Sequence, residues 1–222
     1  MPKNTDATKA LIGAVVNRSI AGTLHSLNFG ADVNGGVAGP AGDTLYAICC
    51  AVGAPDLLKI VLDAGADPNL RDPRTGSALE LAVATYESLQ DTELLLDYGA
   101  DVDGRDADGY TPLMVATGEL EIAQLLVRHG ANVNAVTVTG WSVLMAAVVH
   151  GTPSLIRFLL EKGADPELKD EDGMTALAHA VRTNREENAA MLGQLLKAGT
   201  SVQQSSSSDR GISIEEPVNL LL

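Results

Sequence analysis

Thr111-Pro112-Leu113, followed by Gly118-Glu119-Leu120-Glu121-Ile122, then Leu125-Leu126 and Gly130-Ala131-Asn132-Val133-Asn134, is the stretch that decides the fold. Thr before Pro is a helix start, because Thr can cap free N–H groups and proline at the first helical position has no N–H to satisfy. Glycine directly after an apolar run is a helix stop, since it alone enters the left-handed region without strain. The stretch therefore reads as helix, turn, helix, stop.

Working outward, its last phrase recurs along the chain. Gly30-Ala31-Asp32, Gly65-Ala66-Asp67, Gly99-Ala100-Asp101, Gly130-Ala131-Asn132, Gly163-Ala164-Asp165 and a degraded Gly199-Thr200-Ser201 have glycines 35, 34, 31, 33 and 36 residues apart. Its opening phrase recurs between them, as Gly42-Asp43-Thr44-Leu45, Gly76-Ser77-Ala78-Leu79, Gly109-Tyr110-Thr111-Pro112-Leu113, Gly140-Trp141-Ser142-Val143-Leu144 and Gly173-Met174-Thr175-Ala176-Leu177. A fixed period near 33 marks a stacked array of supersecondary units. Second-helix runs such as Leu57-Leu58-x-Ile60-Val61-Leu62, Leu94-Leu95-Leu96 and Leu155-Ile156-x-Phe158-Leu159-Leu160 are wider than one apolar stripe, so each helix needs neighbours on more than one side. Small residues at matching first-helix places (Ala14, Cys49, Ala82, Ala116, Ala147, Ala180) permit close stacking.

These phrases resemble the ankyrin repeat over roughly residues 9–201. The resemblance implies an all-α solenoid of about six helix-turn-helix repeats with projecting β-hairpin loops. It also implies a non-catalytic protein-interaction scaffold that meets a protein partner through hairpin tips and a concave face. One departure is plain: the family's histidine after Thr-Pro-Leu is replaced by Glu80, Met114, Met145 and Ala178. The expected organisation is an N-terminal extension at 1–8, the repeat domain at 9–201 with its first and last repeats as caps, and a flexible tail at 202–222. The serine run Ser205 to Ser208 begins that tail, and Ile212-Ser213-Ile214-Glu215-Glu216-Pro217-Val218 follows.

Composition narrows the function. The chain has 222 residues with 29 acidic against 15 basic, a formal charge of −14, which repels a phosphate backbone and argues against nucleic-acid binding or a basic membrane anchor. No apolar stretch approaches the ~20 residues of a spanning helix. Seven aromatic residues leave the core to Ala, Leu, Val and Ile. Adjacent Cys49 and Cys50 fit small core residues in a reducing compartment, and the expected setting is intracellular: cytoplasmic, or nuclear in a eukaryote. His25, His129, His150 and His179 have no partner at metal-ligand spacing, no nucleophile, phosphate-loop or zinc motif occurs, and neither cofactor nor catalysis is expected.

The five hairpin spans carry nine acidic and four basic residues, a net −5, which suits a basic partner met by a monomer. An inhibitor or immunity-type protein whose acidic groove blocks a basic effector is the alternative. Candidate contacts are Asp72, Arg74, Asp106, Asp108, Asp170, Glu171 and Asp172 among the charges, with Val138 in an uncharged hairpin. Aligned on the Thr or Ser of each first helix, Tyr110, Trp141 and Met174 form a row, expected to supply the apolar anchor of the interface with Trp141 at its centre.

Overall fold

The computed structural model describes residues 5–38, 44–72, 76–85 and 87–207. Six helix pairs follow one another. First helices are α1 (Thr5–Val16), α3 (Ala47–Ala51), α5 (Ala78–Ala84), α7 (Pro112–Val115), α9 (Val143–His150) and α11 (Ala176–Arg182). Second helices are α2 (Ile20–Asn28), α4 (Pro55–Asp63), α6 (Leu89–Asp97), α8 (Leu120–Arg128), α10 (Pro153–Glu161) and α12 (Glu186–Ser207). First helices pack in one column, α1 on α3 through to α9 on α11, and second helices in another, α2 on α4 through to α10 on α12. Among the described residues, sheet is confined to two short antiparallel ribbons, β1 (Val37–Ala38) with β2 (Thr44–Leu45) and β3 (Arg71–Asp72) with β4 (Gly76–Ser77), and one isolated bridge, Val136 to Ser142.

The cores of the pairs merge into one. Leu58, Leu79, Leu95, Leu113, Leu126, Leu144 and Ile156 are buried in a single continuous cluster, and Ala82, Ala116, Ala147 and Ala180 are buried in the same cluster. Each buried aliphatic side chain contributes about 1.5–3 kcal/mol, and it is buried by the neighbouring repeat as much as by its own. Polar side chains tie the inter-helix turns across repeats: Arg18 donates to the Cys50, Ala51 and Val52 carbonyls, Asp91 accepts from the Gly53 N–H, and Asn188 donates to the Val148 and Gly151 carbonyls.

Helix starts follow the sequence signals with two departures, at Thr111 and at α3, which begins beyond Thr44 after Tyr46 with no side-chain capping bond. Ser77, Ser142 and Thr175 cap their helices through the third residue's N–H. Glu80 and Met145, at the place of the family's histidine, complete capping boxes with Ser77 and Ser142. Thr111 makes no such bond, and its Oγ1 is buried without a partner; Met114 offers no polar atom to it. At the other end of the array, α12 continues through Gly199 to Ser207, where Thr200 and Ser201 replace the Ala and Asp of the earlier turns.

Those earlier turns share one construction. The Ala of each Gly-Ala-Asp/Asn phrase is largely buried at Ala66, Ala100, Ala131 and Ala164. The Asp or Asn side chain accepts the N–H two residues on, as in Asp67 to Asn69 at 2.9 Å and Asn132 to Asn134 at 2.9 Å. The residue so held then reaches the next repeat. Asn34 donates to the Gly65 carbonyl and accepts from the Asp67 N–H; Asn69 does the same with Gly99 and Asp101, and Asn134 with Gly163 and Asp165. Asp103 occupies this place in one interface and only accepts, from the Asn132 N–H at 3.0 and 3.2 Å.

The ladder generates a reciprocal pair of expectations. Asp103→Asn supplies the missing donor to the Gly130 carbonyl and should raise the unfolding free energy by about 0.5–1.5 kcal/mol, whereas Asn134→Asp should lower it by a similar amount. Chemical denaturation of both variants checks this through the opposite signs of the two shifts.

Candidate protein-binding surface

Beyond each turn the chain forms a hairpin, and the last three have a common loop. The N–H of Asp106, Thr137 and Asp170 donates to the carbonyl of Tyr110, Trp141 and Met174, at 3.1, 2.9 and 3.2 Å. The side-chain oxygens of the same three residues accept the N–H of Tyr110, Trp141 and Met174 in return, at 2.8, 3.1 and 2.8 Å. The row Tyr110, Trp141 and Met174 therefore closes the loops, and the tips themselves are residues 107–109, 138–140 and 171–173. All three side chains of the row are half-buried, with Tyr110 and Trp141 packed against the core.

Adjacent tips are joined by backbone. The Val138 N–H donates to the Asp108 carbonyl at 3.2 Å, and the Glu171 N–H to the Thr139 carbonyl at 3.0 Å. This join requires glycine twice. Gly109 has φ +87°, and a Cβ there would stand 3.0 Å from the Val138 nitrogen; Gly140 has φ +78°, and a Cβ would stand 3.0 Å from the Asp170 Cα. Gly173, with φ +73°, has no atom within 4 Å of an added Cβ.

The resulting ribbon exposes Asp106, Asp108, Val138, Glu171 and Asp172 side by side. Val138 is 78% exposed, more than any other large hydrophobic side chain among the described residues. It stands as one apolar contact among carboxylates. Asp72 lies in β3 by its backbone, and Arg74 lies outside the described residues.

Beneath the ribbon, Trp141 and Asp170 meet a residue that the sequence reading left without a role. The His179 Nε2 lies 2.6 Å from the Asp170 Oδ2, with the two side chains 1% and 8% exposed. The Trp141 ring stands edge-on to the His179 ring at 4.5 Å between centroids. Arg182 donates to the His179 Nδ1 at 3.2 Å, so Nε2 carries the proton and donates to Asp170. The signal was a spacing of nine residues across the helix start, which also separates Arg71 from Glu80, paired at 2.6 Å. Burial alone would raise the Asp170 carboxyl, but the Met174 N–H, the His179 ring and the Asp172 N–H together hold it below its ordinary 3.8. Among the described residues, no group of three or more His, Cys, Asp or Glu side chains is placed to hold a metal ion, and no helix is long and apolar enough to cross a membrane.

Two measurements follow from this geometry. Gly140→Ala combines left-handed strain with collision against the next hairpin, so it should lower the thermal midpoint more than Gly173→Ala, which carries the strain of about 1–3 kcal/mol alone. Asp170→Asn weakens the bond to His179 and should destabilise the fold by about 1–3 kcal/mol at pH 7. A carboxyl lowered by folding stabilises fully above its unfolded pKa and loses that stabilisation as pH falls through the folded value. Urea unfolding should therefore show the gap between parent and Asp170→Asn closing below about pH 3.8.

Comparison with known proteins places this architecture. The chain is 37% identical over 109 residues to the ankyrin repeat and SAM domain-containing protein 6 of Rattus norvegicus, covering 48% of this chain and 12% of that protein. It is 38% identical over 122 residues to the human ankyrin repeat and SOCS box protein 6, covering 54% of this chain and 23% of that one. The chain thus spans well under half the length of these curated relatives. Among solved structures it is similar to a chain of the complex between the Bd0816 predatory endopeptidase and the immunity protein Bd3460 of Bdellovibrio bacteriovorus. The TM-score is 0.73 at 27% identity, over 84% of this chain and 97% of that one. The family profile described as ankyrin repeats (3 copies) matches residues 45–137 and 133–205. With that span and the repeating helix pairs, turns and hairpins described above, the chain belongs to the ankyrin repeat family.

Proposed function

We propose that the protein is a non-catalytic scaffold that binds a basic protein partner through its hairpin tips and the concave face beside them. The observation that carries this is the tip ribbon, in which a 78% exposed Val138 lies among the carboxylates of Asp106, Asp108, Glu171 and Asp172. An apolar centre within a charged rim is the common anatomy of a protein interface. Carboxylates around it attract a basic surface and discriminate against an acidic one. In this reading the chain acts as a monomer inside the cell, and Trp141 contributes in two ways, through the exposed part of its half-buried ring and by holding the fourth hairpin against His179 of the sixth repeat.

A second, narrower reading has support from one comparison. The similar solved chain comes from a complex of an endopeptidase with an immunity protein, and the likeness covers 97% of that chain. An inhibitor whose acidic groove blocks a basic effector fits the same ribbon. It differs from the general scaffold in one respect: the captured partner must have an activity that the chain suppresses at equal stoichiometry.

The test is affinity capture on the immobilised full chain in parallel with two variants, followed by binding kinetics with the captured partner. Val138→Ser should leave the thermal midpoint unchanged and weaken binding by about 1 kcal/mol; Trp141→Ala should weaken it by about 2 kcal/mol and lower the midpoint as well. The association rate should fall as salt rises, and less steeply for Asp108→Asn/Glu171→Gln/Asp172→Asn. A partner that binds parent and Val138→Ser equally, at a rate indifferent to salt, overturns the reading.

A further inference from the structure

Away from the hairpin tips, the second-helix column carries a groove between α8 and α10, with a cavity of about 460 Å³ lined by Gln124, Val127, Arg128, Phe158 and Lys162. Val127 and Phe158 are half-buried and form an apolar floor packed on the core. Arg128 and Lys162 stand exposed at the rim. Among the described residues neither has a carboxylate at ion-pair distance, and Lys162 lies over the Phe158 ring at 5.8 Å. Both cations belong to one end of the groove, since Arg128 is the last residue of α8 and Lys162 is the C-cap of α10.

The repeat itself does not call for these cations. A cation in the last turn complements a helix dipole, yet the place of Arg128, two before the glycine, holds Asn28, Asp63, Asp97 and Glu161 in α2, α4, α6 and α10. In the corresponding groove between α4 and α6, Lys59, Asp63 and Tyr98 stand where Gln124, Arg128 and Lys162 stand here, and they close on one another. Lys59 donates to Asp63 at 2.9 Å and to the Tyr98 oxygen at 3.3 Å, and the Tyr98 hydroxyl donates to Asp63. That groove has an anion of its own. The groove between α8 and α10 has a cation in its place and a second cation beside it, on a chain of net charge −14.

We propose that this groove binds an amphipathic helix of a partner protein, one with carboxylates in its first turn and two apolar side chains at i and i+4 behind them, lying antiparallel to α8 and α10. A groove between two neighbouring helices accepts a third helix by its apolar face, and residues four apart share that face. The apolar pair rests on Val127 and Phe158, and the carboxylates meet Arg128 and Lys162. Charge complementarity fixes the direction as well as the chemistry. Both cations lie at the C-terminal end of the groove, so an acidic first turn must lie there too. Carboxylates in a first turn stabilise the incoming helix itself, and its positive N-terminal end then lies beside the negative C-terminal ends of α8 and α10. A helix laid the other way would set its own last carbonyls beside theirs. No tip residue takes part, so this inference stands or falls independently of the proposed surface for a basic partner.

The test titrates the full chain into a fluorescently labelled, alanine-based helical peptide with glutamates in its first turn and leucines at i and i+4 behind them. Binding is read by anisotropy, and its place by NMR. The Val127 methyl and Phe158 ring signals should shift while those of Val138 stay. Arg128→Glu/Lys162→Glu should weaken binding roughly tenfold at an unchanged thermal midpoint, and Arg128→Gln/Lys162→Gln should weaken it less. The second variant keeps the comparison informative if charge reversal unfolds the chain. Three control peptides, with lysines for the glutamates, with the glutamates moved to the last turn, or with serines for the leucines, should each bind several-fold more weakly. Equal binding of any of the three, or an affinity indifferent to both variants, overturns the assignment; equal binding of the serine peptide gives the groove to a simple anion. Sedimentation that shows the free chain dimerising, and Arg128→Glu/Lys162→Glu abolishing the dimer, overturns it too and gives the groove to a second copy.

Discussion

The side-chain amide of Asn134, spanning the Gly163 carbonyl and the Asp165 N–H, represents the constraint on which the rest of the structure depends. An amide satisfies a donor and an acceptor at once only when the next repeat arrives at one height and one orientation. Apolar burial drives stacking but does not select a register, because dispersion and the hydrophobic effect have little directionality. The hydrogen-bonding amides of Asn34, Asn69 and Asn134 supply the selection. Asp103 keeps half of it and loses the other half with its second oxygen.

Once the register is set, the hairpins inherit it. Tips 108 and 138, and 139 and 171, meet by backbone hydrogen bonds of 3.2 and 3.0 Å because each repeat is already held in register. The glycines at 109 and 140 answer a demand from the following repeat, whereas Gly173 serves its own turn alone. A continuous ribbon is stiffer than separate loops, and in the proposed role a partner that meets it forgoes less conformational entropy on binding. The buried Asp170–His179 pair adds to this stiffness by anchoring the fifth hairpin to α11 and placing the His179 ring against Trp141 of the fourth.

The two columns of helices give the molecule two chemically different sides. On the hairpin side, carboxylates surround a single exposed aliphatic side chain. On the second-helix side, between α8 and α10, the sign reverses over an apolar floor. A strongly acidic protein repels acidic ligands by its net charge at long range, whereas within about 8–10 Å local charges dominate, and at this groove the local charges are Arg128 and Lys162. One architecture thereby carries sides of opposite local charge without any change in the repeat.

The amino-acid sequence by itself determined the repeat: its period, the apolar second helices, the hairpins between them and most helix starts and stops follow from local residue patterns, although α3 starts beyond Thr44, Thr111 makes no capping bond and α12 runs on through Gly199. Glycine stops a helix and Ser77 or Thr175 starts one through atoms a few residues away. Tertiary structure alone decided what lies side by side across repeats. Trp141, grouped with Tyr110 and Met174 by alignment, closes a loop and rests its edge on His179, which is thirty-eight residues away and unremarkable as a letter in the chain. Val138 emerged as the exposed apolar point only when the neighbouring tips had been joined to it. Arg128 and Lys162 likewise came to line one groove only when α8 and α10 were laid side by side, because proximity and exposure are properties of neighbours that a periodic sequence specifies in kind but not in position.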